Sequence, residues 1–223
     1  MFGGVVTDTY IPELRIGNAT LTDVPCLYRE YHLQARAFGL PFRDKSFILG
    51  LKMMRLFKYI GFDAQSKEMR LSYEESFVPD EPARWARYSC KVVEEQDGAP
   101  ILVADIPIAG RDMEVRVDTG DGRGLAISDR LWEDMRHRVK VTSLKDSTGW
   151  YPEGGTGRFN CRKAVVPELE VGERVVKKAV VRIYPEDAFE KLGNRPLLGT
   201  QFFRDTEFVL DFEHSLLWVK QEP

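Results

Sequence analysis

The sequence has few of the residues that build metal sites and disulfide frameworks. Of its 223 residues, three are cysteines and three are histidines, and no pair of them has the close spacing of metal ligands. An odd, widely spaced set of cysteines does not suit a disulfide framework either. We therefore expect buried or neutral thiols in a reducing compartment, no metal site and no cofactor. The residues concerned are Cys26, Cys90, Cys161, His32, His137 and His214.

Long apolar runs and blocks of like charge are also missing. No apolar run has the length needed to cross a bilayer. The net charge is −3, with acidic and basic residues mixed along the chain, so no basic block favours nucleic acid. The first eight residues lack the charged and apolar regions of a signal peptide. We expect neither a membrane nor a nucleic-acid partner, and a cytoplasmic protein if Met1 is the true start; otherwise its location stays unknown.

An internal repeat is the strongest pattern in the sequence. The run IPELRIG returns as VPELEVG 155 positions later, ILG returns as LLG 149 positions later, and FD returns as LD 148 positions later. Three matches in the same order with slowly drifting offsets indicate a duplicated unit. The matched segments are residues 11–17 with 166–172, 48–50 with 197–199, and 62–63 with 210–211.

The two copies differ in length. Residues 77–87 contain a run rich in proline and acid that is typical of a linker, which predicts copy one at residues 1–76 and copy two at 88–223. The alignment puts Gly3-Gly4 near the place of Gly154-Gly155. Copy one would therefore lack about 55–65 residues from the start of the unit.

The hydrophobic pattern predicts a mostly β fold with a few short helices. Apolar residues at 113, 115 and 117 alternate with charged residues, which is the two-residue period of a half-buried strand. This strand runs directly into Asp118. Ser128 is a suitable N-cap for a following helix, and a second short helix is expected to begin at Pro185.

Three motifs in order resemble the retropepsin-like and pepsin-like aspartic peptidases. Val117-Asp118-Thr119-Gly120 follows the alternating strand, Leu197-Leu198-Gly199 precedes a short apolar helix, and residues 209–219 form a closing pair of strands. An Asp-Thr-Gly alone recurs by chance, but the resemblance covers nearly all of copy two and the later part of copy one. It implies duplicated acid-protease lobes, of which the N-terminal lobe is incomplete.

The resemblance implies a site in which two carboxylates share one proton. One carboxylate takes a proton from a bound water while the other polarises the carbonyl of a peptide or protein substrate. Asp118 would be one of the two. Thr119 would hold the loop, Gly120 would leave room for the backbone, and Leu198 with Gly199 would support Asp118 from behind.

The loop at residues 149–157 lies where the family has its flap. Its aromatic residues would cover the substrate and its glycines would allow closure. Trp150, Tyr151, Gly154 and Gly155 are therefore predicted to contact substrate. The alternative is an ordinary surface turn whose aromatic residues pack on the lobe.

Two features depart from the family pattern. Asp121 stands where the family usually has Ala or Ser, and a third carboxylate would repel the dyad unless Arg123 screens it; Asp121 could instead contact a basic or polar group of the substrate. The second departure is the missing aspartate. Asp8-Thr9-Tyr10 does not supply it, because the repeat places it after the flap and Tyr cannot replace the glycine.

Three explanations account for the missing aspartate. The chain is a piece of a longer two-lobe peptidase, or a homodimer that brings two Asp118 residues together across a two-fold axis, or an inactive relative that binds peptides or acts as a scaffold. The sequence favours an aspartic endopeptidase that is active when complete or dimeric and inactive as a monomer. A two-carboxylate glycosidase is less favoured, since nothing places its second carboxylate.

Overall fold

The computed structural model describes residues 6–29, 35–37, 40–42, 49–95, 100–150, 158–190 and 194–221. Most of these residues are in β-strands, and the prediction of a mostly β fold is confirmed. Contacts divide the chain into two units, Met1–Leu49 and Gly50–Pro223. In the part of the chain that is described, no helix has both the length and the apolar character needed to cross a bilayer.

The described residues of the first unit form two antiparallel hairpins. In the longer one, β1 pairs with β2 through a two-residue turn in which Gly17 has a φ of +59°, a conformation that glycine adopts without strain. In the shorter one, β3 pairs with β4. The strands are β1 (Val6–Ile16), β2 (Ala19–Arg29), β3 (Ala35–Ala37) and β4 (Leu40–Phe42).

In the second unit, the residues that the structure describes form twelve strands and three short α-helices. The strands are β5 (Tyr59–Asp63), β6 (Glu68–Ser72), β7 (Trp85–Glu94), β8 (Pro100–Ile108), β9 (Arg111–Asp118), β10 (Leu125–Ser128), β11 (Ser143–Trp150), β12 (Arg158–Val171), β13 (Arg174–Tyr184), β14 (Leu197–Gly199), β15 (Glu207–Asp211) and β16 (Leu216–Lys220). The helices are α1 (Leu51–Met54), α2 (Asp129–Met135) and α3 (Asp187–Glu190), and single 3-10 turns span Pro82–Arg84, Arg136–Arg138 and Thr200–Phe202.

The twelve strands form one sheet in the order β11-β12-β13-β10-β14-β9-β8-β7-β16-β15-β5-β6. Two of the pairings, β10 with β13 and β14 with β9, are parallel, and the others are antiparallel. Residues of β10 and β14, near the middle of this order, and of β15 are buried along the whole length of each strand. The predicted N-cap of α2 is present, since the Ser128 hydroxyl oxygen accepts a hydrogen bond from the Leu131 amide at 3.3 Å.

The hairpin β1–β2 has the same register as the hairpin β12–β13. Ile16 pairs with Ala19 in the first, and Val171 pairs with Arg174 in the second, each position being 155 later (171 − 16 and 174 − 19). Gly172, like Gly17, has a φ of +59°. The two turns therefore have the same local geometry.

Both long hairpins also carry an irregularity at the same place. Asp23 has a φ of +51° and Lys178 a φ of +53°, although non-glycine residues rarely adopt positive φ. These two residues are 155 positions apart, and the regular pairing omits each of them. The same backbone irregularity therefore occurs in both long hairpins, at positions that are equivalent in the sequence repeat.

The division of the chain into residues 1–76, a linker at 77–87 and residues 88–223 stays a prediction. The contact units divide elsewhere, because β5 and β6 continue the sheet formed by the residues that follow them. β5 pairs with β15 along five residues, from Glu207 opposite Asp63 to Asp211 opposite Tyr59.

Candidate active site

Asp118 is the last residue of β9, in the middle of the twelve-stranded sheet. Val115 and Val117 of the same strand are buried, as their alternation with charged residues predicts. β14 runs parallel to β9, with Leu198 beside Val117 and Gly199 beside Asp118. The structure thus places the Leu-Leu-Gly motif against the Asp-Thr-Gly strand, although the two are about eighty residues apart in sequence.

The Asp118 carboxylate is half-buried and is held by the turn that follows it. Its Oδ1 accepts a hydrogen bond from the Gly120 amide at 2.9 Å, while its carbonyl oxygen accepts one from the Asp121 amide at 3.2 Å. A side chain at Gly120 would begin 3.3 Å from Asp118 Oδ1. The glycine therefore lets the backbone approach the carboxylate closely.

The turn after Asp118 is tied to the end of β14 by hydrogen bonds. The Asp121 carbonyl oxygen accepts from the Thr200 amide at 2.7 Å and from the Thr200 hydroxyl at 3.0 Å. The Gly199 amide donates to the Gly124 carbonyl oxygen at 3.1 Å. A Cβ at Gly199 would lie only 2.2 Å from the Arg123 carbonyl oxygen, so the contact requires glycine.

Asp121 and Arg123 form an ion pair inside this turn. Arg123 Nε lies 2.6 Å and 2.8 Å from the two carboxylate oxygens of Asp121, and the Arg123 amide also donates to Oδ1 at 2.8 Å. The Asp121 residue is only 8% exposed. Burial would lower the pKa of the Arg123 guanidinium, but hydrogen bonding and the charge of Asp121 outweigh burial and raise it.

The contacts between Arg123 and the Asp121 carboxylate favour one of the two roles considered for Asp121. Its carboxylate is engaged by a side chain of its own turn, which supports screening by Arg123 over contact with a substrate group. A smaller contribution to the raised pKa of Arg123 comes from the negative charge of Asp118. The guanidinium therefore interacts electrostatically with both carboxylates of the turn.

Buried side chains of β10, β12, β13, β14 and α3 form a cluster. Tyr184 is fully buried, and burial raises the pKa of its hydroxyl. A Cβ at Gly149 of β11 would begin 2.4 Å from the Tyr184 hydroxyl oxygen. The cluster consists of Ala126, Cys161, Tyr184, Ala188, Phe189 and Leu197.

Only the stem of the predicted flap falls within the described residues. Trp150 ends β11, and its backbone pairs with Arg158 at the start of β12. Tyr151, Gly154 and Gly155 lie outside the described residues. The flap role of these four residues stays a prediction, while the stem consists of the antiparallel strands β11 and β12.

Sequence reasoning missed several residues that build this site. Thr200 immediately follows the Leu-Leu-Gly motif, and its hydroxyl, next to a glycine, was a usable indication of a hydrogen bond to a nearby turn. Tyr184 and Gly149 gave no comparable indication, because a buried tyrosine and a strand glycine have the same appearance in any β-sheet core. The described residues contain no group of three or more metal-ligating side chains.

No family model and no curated protein matches the chain. Solved structures similar to it include a retropepsin-like aspartic protease from Rickettsia conorii, with 15% identity, coverage of 61% of this chain and 95% of that one, and a TM-score of 0.38. A second is the protease of EIAV complexed with the inhibitor HBY-793, with 17% identity, coverage of 42% and 88%, and a TM-score of 0.28.

A third similar structure is basic 7S globulin from soybean, with 9% identity, a TM-score of 0.48, and coverage of 92% of this chain and 63% of that one. All three likenesses have TM-scores below 0.5 and identities below 20%. The neighbours of this chain thus include retropepsin-like aspartic proteases, at a level of similarity that does not identify a family.

Proposed function

We propose that this chain supplies one aspartate, Asp118, to an aspartic endopeptidase site. The observation that carries the proposal is the pairing of β9 with β14, which puts the Asp-Thr-Gly turn against Leu198 and Gly199. The carboxylate lies at a strand end, half-buried, with one oxygen fixed by the Gly120 amide. A group placed in this way can face a second carboxylate without rearrangement of its own turn.

The chemistry requires two carboxylates that share a proton. Like charges a few ångströms apart do not both ionise readily, so one member is protonated and the other is not. The ionised member takes a proton from a water molecule, which attacks the scissile carbonyl, while the protonated member donates to the carbonyl oxygen. Asp118 provides one member of such a pair, and the second comes from outside the Asp-Thr-Gly turn.

Arg123 makes this site compatible with the acidic residue at position 121. A bare carboxylate three positions from Asp118 would disfavour ionisation of a dyad. Since Arg123 binds both oxygens of Asp121, the turn carries a neutral ion pair. Asp121 is therefore proposed as a structural residue of the turn and not as a substrate contact.

A catalytically silent peptide-binding protein is the second candidate. One observation favours it, because the 223 residues contain a single Asp-Thr-Gly. An extended peptide could still pair with strand edges beside the site without being cut. The two candidates differ in one respect: only the peptidase needs the carboxyl group of Asp118 for its function.

The test is cleavage of an unfolded protein between acid and neutral pH by this chain together with a segment that supplies the second aspartate, since one carboxylate alone cannot run the reaction. The peptidase requires that Asp118→Asn abolish cleavage and that a statine-type inhibitor block it. Peptide binding without cleavage, retained in Asp118→Asn, would instead support the silent binding protein.

A further inference from the structure

We infer that the outer edge of β6 is a docking site for an antiparallel β-strand that corresponds to β7, contributed by the lobe that would carry the second aspartate. The identity of that lobe rests on the proposed function. The docking of a strand at β6 rests on registers and burial alone.

The hairpin β5–β6 is the counterpart of the hairpin β15–β16. Ile60 pairs with Leu71 in the first, and Phe208 pairs with Val219 in the second, each position being 148 later (208 − 60 and 219 − 71). This is also the offset of the FD and LD matches in the sequence. Strand pairing and sequence repeat therefore give the same correspondence, with β5 equivalent to β15 and β6 to β16.

The two equivalent hairpins are related by an approximate two-fold axis. β5 pairs antiparallel with β15, and Gly61 lies opposite Val209, its own equivalent at an offset of 148. Residues on either side pair symmetrically about this point. An antiparallel pairing of equivalent residues is what a two-fold axis through the sheet produces.

Among the described residues, the outer edge of β6 lacks the neighbouring strand that the outer edge of its equivalent, β16, has. The outer edge of β16 pairs with β7, from Leu216 opposite Ser89 to Lys220 opposite Trp85. β6 is instead the last strand in the sheet order of the described residues. By the two-fold relation, a strand like β7 belongs beside it.

Burial supports the same conclusion. Leu217 and Val219 of β16 are 0% and 4% exposed. Their equivalents on β6 are Met69, which is 40% exposed, and Leu71, which is half-buried. An apolar residue at an unpaired edge is unusual, because such edges are normally protected by charge or by cover. At these two positions β6 thus has the apolar side chains of a covered strand, while Glu68 and Arg70 stand where β16 has Leu216 and Trp218.

The axis also bears on where a second aspartate comes from. In a homodimer that joined two Asp118 residues in the same manner, β15 of each copy would pair with β15 of the other. Both edges of β15 are already paired, one with β16 and one with β5. The chain itself fills the place that a second copy would need, so the geometry favours a separate lobe segment docked on β6.

The occupant is therefore an extended segment that runs antiparallel to β6 and alternates apolar with polar residues, as β7 does. In β7 the buried positions include Tyr88 and Cys90, and the intervening positions are exposed. Further strands after this segment, like β8 and β9, would end in the second Asp-Thr-Gly or Asp-Ser-Gly. A symmetric pairing of β6 with β6 of a second copy is the rival occupant.

The experiment uses the full chain and a synthetic peptide with the sequence of residues 85–94, carrying Cys90→Ser to prevent oxidation. Backbone amide hydrogen exchange is measured over residues 68–72 with and without the peptide. We expect exchange there to slow by about tenfold at saturating peptide, because docking would pair the open edge. A scrambled peptide of the same composition is the control and should leave exchange unchanged.

Two variants of the chain test whether the peptide binds at β6. Met69→Lys should weaken peptide binding by about tenfold, because it places a charge at the docked strand. Leu56→Lys, a matched change at another exposed apolar side chain, should bind the peptide like the wild type. Unchanged exchange at residues 68–72, or equal binding by Met69→Lys and the wild type, would overturn the inference.

Sedimentation velocity distinguishes peptide docking from the pairing of β6 with β6 of a second copy. A dimer that protects residues 68–72 without peptide would overturn the inference in favour of β6–β6 pairing. Asp118→Asn should bind the peptide as the wild type does. Peptidase activity that survives Asp118→Asn, with docking intact, would thus count against the proposed function and leave the docking site standing.

Discussion

Asp118 and Gly199 lie beside each other on the parallel strands β9 and β14. The contact brings the two motifs of the proposed site together and depends on the absence of a side chain at Gly199. The nearest atoms to a Cβ there are backbone atoms of the turn after Asp118, which cannot rotate away as a side chain would.

Gly199→Ala should therefore destabilise the protein by about 3 kcal/mol, because the new methyl group overpacks against the Arg123 and Asp121 carbonyl oxygens. Urea unfolding measures the change. Gly122→Ala is the matched control in the same turn, since no atom lies within 4 Å of its Cβ position, and it should change stability by less than about 0.5 kcal/mol. Equal effects of the two substitutions would contradict this packing.

Because Asp121 and Arg123 form an ion pair, the effects of substituting each of them on the free energy of unfolding should not add. Arg123→Met should cost about 2–3 kcal/mol, because it leaves the buried Asp121 carboxylate without its cation. In the Asp121→Ala, Arg123→Met double variant that penalty is largely removed, since no buried charge remains. A double-variant cycle from urea unfolding measures the coupling. Additive single effects would show that the two side chains do not interact in solution.

The cysteines should differ in reactivity. Burial, with a contribution from the charge of Asp211, raises the pKa of the Cys90 thiol to about 12, and burial raises the pKa of Cys161. At pH 8 both stay protonated and react slowly with a disulfide reagent, because the thiolate is the reactive form. Cys26 is half-buried and should be the fast thiol.

The reaction of each thiol with an aromatic disulfide reagent can be followed by absorbance. We expect one fast thiol in the native protein, none in Cys26→Ser, and three in the unfolded wild type. A fast thiol that persists in Cys26→Ser would mean that Cys90 or Cys161 is accessible in solution.

Local patterns in the sequence predicted the strand that carries Asp118 and the cap at Ser128. These features depend on a period of two residues and on a hydroxyl at a helix start, both of which neighbouring residues determine. The adjacency of Asp118 and Gly199 was predicted by resemblance and not by pattern, because pairing across some eighty residues leaves no local trace.

Other features depended on contacts that the sequence does not specify. Two roles for Asp121 were open until the position of Arg123 relative to it was known. The pairing of β5 with β15 was not expected, since hydrophobic alternation fixes which face of a strand is buried but not which strand lies beside it. This pairing changes the expectation about a homodimer, because it occupies an edge that such a dimer would use.

The most direct test of the central claim is the cleavage of an unfolded protein by wild type, Asp118→Asn and the control Asp105→Asn, between acid and neutral pH. Asp105 is an exposed carboxylate on β8. We predict no turnover by the monomer, because one carboxylate cannot run a shared-proton mechanism. When a peptide spanning residues 85–121 supplies a second Asp-Thr-Gly, we predict cleavage by wild type and Asp105→Asn that is lost in Asp118→Asn. Cleavage that survives Asp118→Asn, or turnover by a proven monomer, would contradict the account.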